Sequence, residues 1–161
     1  MTDLKGLLTV LAEGRVEFII VGGVAASLHG SARVTRDLDV VYSRSRENLR
    51  RLVAALSRHR PYPRGAPLGL PFSWDGETLR RGLNFTLQTD LGSLDLLGEI
   101  AGGGGYDDLD GHTVQVDAFG LALRCLDLET LIHVKKAAGR PRDLEAIAEL
   151  LVIRDERAPR R

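Results

Sequence analysis

Several features that would assign a chain to a common class are missing from this sequence. One cysteine, Cys125, stands alone in 161 residues. No internal disulfide framework can form, and a reducing cytosol suits such a chain. No apolar run approaches the roughly 20 residues needed to cross a bilayer. Residues Met1 to Lys5 lack the basic-then-apolar layout of a secretory leader. The chain is therefore expected to be cytoplasmic, with no membrane partner. Lysine plus arginine equal aspartate plus glutamate at 22 each; without a global excess of positive charge, any contact with RNA has to be a local patch. Neither a Gly-x-Gly-x-x-Gly fingerprint nor a Gly-Lys-Ser/Thr phosphate loop occurs, nor a serine-hydrolase elbow. His29, His59, His112 and His133 are scattered without metal-ligand spacing and read as structural or exposed. There is no internal repeat and no interdomain linker. What remains is a single domain of ordinary globular composition, 43% hydrophobic and 27% charged, long enough to bury a core.

The balanced charge is unevenly spread. Residues 1–60 carry ten basic and six acidic side chains, residues 61–120 three and nine, and residues 121–161 nine and seven. An acidic middle between basic ends fits a metal site flanked by phosphate-binding arms, and equally fits solvated surface charge.

The chain is organised around the stretch from Phe18 to Tyr42. It reads as an apolar strand, the pair Gly22-Gly23, a short helix, a turn, and a second strand opened by Asp37-Leu38-Asp39. Alternate residues of a strand share a face, so Asp37 and Asp39 point the same way, about 7 Å apart along the backbone. Two carboxylates aimed at one point are costly unless they meet a cation, and a hard divalent metal held with nucleotide phosphates is the usual answer. Glycines between a buried strand and a helix let backbone approach a phosphate closely. A tight turn and a polar strand start are the plainer readings of the same residues.

Periodicity places the other elements. A helix is expected over about 3–13, a strand over 16–21, a short helix over 23–29 and a strand over 37–42. An amphipathic helix from Arg46 to about His59 follows. Residues 60–76, with Pro61, Pro63, Pro67, Pro71 and three glycines, read as a long loop; its Phe72 and Trp74 suit anchors on the core better than a base-stacking pair. Strands at 83–89 and 93–97 are joined by the tight turn Asp90-Leu91-Gly92. Gly102 to Gly105 reads as a flexible turn, followed by a helical turn at 106–109 and a strand at 112–118. Two helices close the chain, 127/128–138 and 142–153, the second turning Leu144, Ile147, Leu150 and Leu151 inward, before a frayed tail at Ala158 to Arg161. Asp95 lies inside the apolar strand Ser93 to Leu97, an expensive place for a carboxylate that is neither paired nor metal-bound.

The glycine pair, thirteen residues, and then Asp37-Leu38-Asp39, with Asp95 on a later strand, resembles the signature of the DNA polymerase β-like nucleotidyltransferase superfamily. The runs from Asp95 to Tyr106 and from Leu131 to Asp143 are similar to minimal bacterial members, namely stand-alone nucleotidyltransferases and AbiEii-type toxins of type IV toxin–antitoxin systems. The resemblance covers about residues 15–153.

It implies an α+β fold, a small mixed sheet with helices mainly on one face. The core would span about 15–120 and the C-terminal helices about 127–154, within one nucleotidyltransferase-like domain. It implies an enzyme that moves a nucleoside monophosphate from a nucleoside triphosphate (NTP) to a hydroxyl on RNA, protein or a small molecule, with Mg²⁺ or Mn²⁺ as cofactor. tRNA or a protein as acceptor, and an antitoxin as partner, belong to the toxin version. Asp37 and Asp39 are the implied metal ligands, and Asp95 the third ligand or the general base toward the acceptor. Gly22, Gly23 and Ser27 would hold phosphates. Arg33, Thr35 and Arg36 lie within reach of them, and Lys135 would meet the triphosphate or the carboxylates. Arg140 and Asp143 are weaker candidates, equally readable as an ion pair and a helix cap. The alternative is a catalytically inactive nucleotide- or partner-binding module of the same fold.

Overall fold

The computed structural model describes residues 1–159. The last two residues of the expected frayed tail, Arg160 and Arg161, lie outside the described residues. Helix α1 (Leu4–Glu13) starts where the Asp3 carboxylate accepts a hydrogen bond from the Gly6 amide at 2.8 Å. It buries Leu7, Leu8 and Leu11 completely. Strand β1 (Phe18–Val21) is buried along its whole length. It leads directly into α2 (Gly22–Leu28), and β2 (Asp37–Tyr42) returns antiparallel to β1 with Val21 opposite Asp39. Helix α3 (Arg46–Leu56) is capped by Ser45 and runs on as a 3₁₀ turn over Ser57–His59.

Strands β3 (Tyr62–Pro63), β4 (Phe85–Thr89) and β5 (Gly92–Leu97) extend the sheet, β4 and β5 forming the expected hairpin. A small ribbon of β6 (Glu99–Ile100) and β7 (Gly104–Gly105) precedes α5 (Tyr106–Leu109). Strands β8 (Thr113–Ala118) and β9 (Leu121–Leu126) form a second hairpin, and α6 (Leu128–Ala138) and α7 (Leu144–Arg157) finish the described chain. The main sheet has seven strands in the order β3-β4-β5-β2-β1-β9-β8. It is mixed, because β2 runs parallel to β5 and β1 parallel to β9, while the other neighbours are antiparallel. This is the α+β class that the sequence predicts. Among the described residues no helix is long and apolar enough to cross a membrane.

The departures from the sequence reading have physical causes. Strand β9 was not expected; its order comes from pairing with β8 and β1 around the fully buried Cys125, which overrides weak local propensity. Helix α4 (Gly76–Arg81) was not expected; it begins at the last residue of the predicted loop and fills the gap before the predicted strand at 83–89, which is observed from Phe85. Asp75 caps it, accepting from the Thr78 amide at 2.8 Å, with Glu77 in its first turn and Arg80 and Arg81 in its last. The rest of the 60–76 segment is tethered as its aromatics suggested: Trp74 Nε1 donates to Val53 O at 3.1 Å, and Phe72 meets Tyr62 edge-on at 6.0 Å. In α7 the inward residues are Ala146 and Leu150, with Ile147 and Leu151 half-buried. Leu144 is 67% exposed, contrary to expectation, because the 3₁₀ turn Pro141–Asp143 rotates the helix start outward.

Asn48, 1% exposed, stitches α3 to the sheet. Its Oδ1 accepts from Glu17 N at 2.7 Å, and its Nδ2 donates to Glu17 O and Ser43 O at 3.0 and 2.7 Å. Asn48→Ala removes all three bonds: Ser43 O loses a buried partner and Glu17 N a part-buried one, while Glu17 O keeps the Ser43 amide at 3.1 Å. The expected loss is about 2–4 kcal/mol of unfolding free energy in urea titration, against well under 1 kcal/mol for an exposed helix position.

Candidate active site

The register of the sheet assembles three carboxylates. Asp37 and Asp39 share one face of β2, and parallel pairing with β5 sets Asp39 directly beside Asp95 and Asp37 beside Ser93. Gly22 lies against the same point. It has φ +65°, and a Cβ built there would fall 2.2 Å from Asp39 Oδ2, so only glycine lets the first turn of α2 approach the carboxylate. Gly23 packs in the same manner on Thr35, whose hydroxyl donates to Asp37 O at 3.1 Å. No side chain caps the start of α2.

The carboxylates are under electrostatic strain. Asp39 is pushed up to about 7 from an ordinary 3.8, first by burial, then by the charge of Asp95 and a hydrogen bond with it, and then by Asp37; Arg64 pulls the other way. The Arg64 guanidinium sits among the three. It hydrogen-bonds Asp95 Oδ1 and lies 3.6 Å from Asp37 Oδ1. Among the described residues, two buried side-chain polar atoms lack a hydrogen-bond partner, Asp39 Oδ1 and an Arg64 terminal nitrogen, and both are here. Buried orphans of this kind cost roughly 1–3 kcal/mol each and mark a place built for something else.

The donor set fits a hard divalent cation: carboxylate oxygens, one of them unpartnered, around a point where a cationic side chain already stands. Among the described residues no group of three or more His, Cys, Asp or Glu is placed to hold a metal ion together, so the fit rests on the chemistry of the donors and on the unpartnered Asp39 oxygen. Arg64 occupies the charge centre.

A cavity of about 400 Å³ opens from this centre. Gly22, Asp39 and Asp95 line one end. Leu97, Ile100, Leu131 and Val134 provide apolar wall, and Lys135 and Arg140 basic lining. Lys135 also lines a smaller space of about 110 Å³ with Gly23, Arg33 and Thr35. The fold thus gathers most of the residues singled out in the sequence around two adjoining spaces that share Lys135.

The Lys135 ammonium is 3.7 Å from Asp143 Oδ1, and Arg140 Nε is 2.7 Å from Asp143 Oδ2. Burial alone would raise the Asp143 carboxyl, but the hydrogen bond from Arg140 and the charge of Lys135 outweigh it and hold it below the usual range. Arg140 and Asp143 therefore form the ion pair that the sequence allowed. Asp143 does not cap α7 with its side chain.

Two residues stand apart. Ser27 is exposed, and its hydroxyl donates back to Gly23 O at 3.1 Å, lining neither space. Arg36 is exposed and lines neither space. Arg33 lines the smaller space and lies 3.5 Å from Glu145. Of the histidines, His29 is buried and bonded to Leu126 O at 2.7 Å, which makes it structural. Cys125 is fully buried, and burial raises its thiol to about 11, so it is inert.

Sequence reasoning missed Arg64. The one available signal was its position: between Arg60 and Arg80 it is the sole basic residue, within the most acidic third of the chain. A second concavity, about 440 Å³ and ringed by Arg44, Arg46, Arg50 and Arg80, has Glu77 as its one acidic lining residue. Its Arg44 is already spent on Tyr42 Oη and the carbonyls of Leu79 and Arg80.

No protein-family model matches the chain, and no curated protein matches it in sequence. Solved structures do match in fold. One is the lincosamide antibiotic adenylyltransferase LnuA with lincomycin bound, at TM-score 0.62 and 16% identity, over 94% of this chain and 98% of that one. Another is a protein of Thermotoga maritima provisionally assigned as a nucleotidyltransferase, at TM-score 0.54 and 17% identity, over 94% and 95% of the two chains. At these identities the likeness is one of fold. The fold is nucleotidyltransferase-like, and neither a role nor a subgroup follows from it.

Proposed function

We propose that the chain is a metal-dependent nucleotidyltransferase that moves a nucleoside monophosphate from an NTP to a hydroxyl acceptor. The observation that carries this reading is the register of β2 and β5, which seats Asp39 beside Asp95 and against Gly22 at the mouth of a cavity. Asp37 and Asp39 would hold Mg²⁺ or Mn²⁺, with Asp39 supplying its unpartnered oxygen. Bound metal lowers the pKa of the attacking hydroxyl and steadies the leaving oxygens.

The chain's own part is binding, orientation and one proton transfer. The Gly22-Gly23 backbone lies close to the carboxylates and admits phosphate groups. Lys135, aimed by Asp143, adds positive charge between the two spaces. Asp95 takes the proton from the acceptor hydroxyl as its oxygen attacks the α-phosphorus, and the bond to the bridging oxygen breaks with loss of pyrophosphate.

A small-molecule acceptor is favoured over RNA or protein. The cavity is of ligand size with an apolar wall. The LnuA structure, which contains bound lincomycin, is matched over nearly its whole length by a chain of the same extent. An antitoxin partner and growth arrest on expression belong to the toxin version, which gains no comparable support.

Asp95→Asn separates binding from chemistry. The expected result is Mg-NTP affinity within about threefold of wild type, with transfer of α-labelled nucleotide to acceptors in a cell extract reduced at least about 100-fold, as for loss of a general base. Equal loss of binding and transfer would instead make Asp95 a metal ligand. Binding by the wild type with no transfer to any acceptor would favour the inactive module.

A further inference from the structure

Arg64 has no role in that scheme, yet its guanidinium occupies the centre of the site. We propose that Arg64 is a nucleotide-phosphate ligand that stands in for the divalent cation when the site is empty, and that it exchanges the carboxylates for phosphate oxygens when metal and NTP enter together. This rests on the nucleotidyltransferase reading.

The first support is what the side chain does now. It bridges Asp95 and Asp37, residues on two different strands, and is 26% exposed, with one terminal nitrogen buried and without a hydrogen bond. A guanidinium presents five donors in a planar fork and cannot be deprotonated. Buried with donors to spare, it is under-satisfied by the acidic site alone and matched to a ligand with more acceptors.

The second support is how the residue is mounted. Its amide donates to Thr86 O at 2.9 Å, and the preceding Tyr62–Pro63 pairs with Gln88 and Leu87, so the main chain is pinned to the sheet beside β4. The next residue, Gly65, has φ +79° and no heavy atom within 4 Å of where a Cβ would be, and Gly69 (φ +89°) is equally open. With the main chain fixed to β4 on one side and an uncrowded glycine next to it, a change of partner falls to the long side chain of Arg64 and asks no movement of the sheet.

The third support is charge. A dication held by Asp37 and Asp39 would repel a guanidinium bound to Asp37 and the neighbouring Asp95, while the NTP that arrives with it brings three phosphates, the acceptors an arginine fork fits best. Arg64 is thereby moved from the carboxylates to the phosphate chain by the substrate itself. One consequence is that metal without nucleotide meets a competitor, and metal with nucleotide does not.

The test is calorimetric binding with wild type, Arg64→Gln and Arg64→Lys, each checked for a cooperative melting transition well above the titration temperature. Mn²⁺ alone is titrated first, then the Mg²⁺ complexes of the α,β-methylene analogues of ATP, GTP, CTP and UTP. For Arg64→Gln, Mn²⁺ alone should bind about tenfold tighter and the preferred Mg-analogue about 10- to 100-fold weaker, the scale of a charged hydrogen bond gained or lost. Arg64→Lys, which keeps the charge and loses the fork, should restore most of the Mn²⁺ competition and only part of the analogue affinity. The same or weaker Mn²⁺ binding in Arg64→Gln overturns the stand-in, and unchanged analogue affinity overturns the phosphate contact. If wild type itself binds neither Mn²⁺ nor any analogue, the nucleotidyltransferase reading has failed and the role of Arg64 falls with it.

Discussion

Asp39→Asn should make the metal-free protein more stable above neutral pH and at the same time abolish its response to metal. The folded-state carboxyl titrates near 7, against 3.8 for an ordinary aspartate. Between those values the native state holds a proton that the unfolded chain has released, so wild-type stability falls as pH rises through this window and the full penalty persists above 7. Three units correspond to about 4 kcal/mol, and sharing of the proton with Asp95 makes about 2–4 kcal/mol a fair expectation. Asparagine keeps the shape without the charge. In EDTA, urea titrations should show the variant gaining about 2–4 kcal/mol over wild type at pH 8, and little at pH 4, where both side chains are neutral. Saturating Mg²⁺ with NTP should then stabilise wild type through linkage and leave Asp39→Asn unmoved. Equal stability at pH 8 would mean that Asp39 is not strained, and equal stabilisation by metal that it is not a ligand.

Gly22→Ala should be nearly as damaging as loss of a carboxylate, although it removes no functional group. The position combines φ +65° with a Cβ that would sit 2.2 Å from Asp39 Oδ2 and 3.1 Å from the Asp39 Cβ. The left-handed backbone alone costs alanine about 1–2 kcal/mol. The clash then has to be relieved by moving either Asp39 or the start of α2, both of which belong to the site. A total destabilisation of about 2–4 kcal/mol is expected by urea titration, together with at least about a 100-fold fall in transfer, since small misplacement at a reacting centre costs that much. Gly23→Ala is the useful contrast. It has no positive φ, and its added Cβ would meet the Thr35 hydroxyl at 2.8 Å and the Thr35 Cβ at 3.0 Å, a smaller clash that a shift of a few tenths of an ångström at Thr35 relieves. It should keep most of its stability. A Gly22→Ala protein with wild-type stability and transfer would show that the close approach of α2 to Asp39 is incidental.

The parts of the site that were legible in the sequence are those encoded locally. A glycine pair between an apolar strand and a helix, an Asp-x-Asp at a strand start, and an aspartate inside an apolar strand each break a local rule of chain building, and each contributes a residue, Gly22, Asp39 and Asp95, to the same cavity. Lys135 was legible as a basic residue on a late helix, but its partner Asp143 was only one of two readings. Arg64 was not legible. Its contacts with Asp37 and Asp95 span 27 and 31 residues of chain, and nothing in a proline- and glycine-rich segment says which way an arginine will point. The same holds for the fold. Strand β2 was expected at its observed bounds because its apolar run is bracketed by charge and serine. Strand β9 has its hairpin partner β8 close by, but its place inside the sheet depends on β1, where Ile20 pairs with Cys125. Helix α4 was hidden because its cap, Asp75, lies among residues that otherwise signal a loop. Ser27 illustrates the converse: a hydroxyl near a glycine pair attracted a role, but four residues along a helix it faces back onto its own backbone.

Arg64 also bears on how the site would be used. An acidic centre that is internally neutralised when empty avoids the repulsion among three carboxylates, part of which still shows in the raised Asp39. In both the proposed reaction and the proposed exchange, the chain supplies oxygens and donors whose final partners arrive with the substrate.

The most direct measurement is equilibrium binding of each of the four NTPs to the purified chain, with and without Mg²⁺, followed by incubation of the α-labelled form of whichever binds with pooled small-molecule and macromolecular fractions of a cell extract. The account predicts that at least one NTP binds only with Mg²⁺, and that its α-phosphate label moves to a hydroxyl-bearing compound as pyrophosphate is released. Binding that ignores Mg²⁺, or no binding of any NTP, would contradict it.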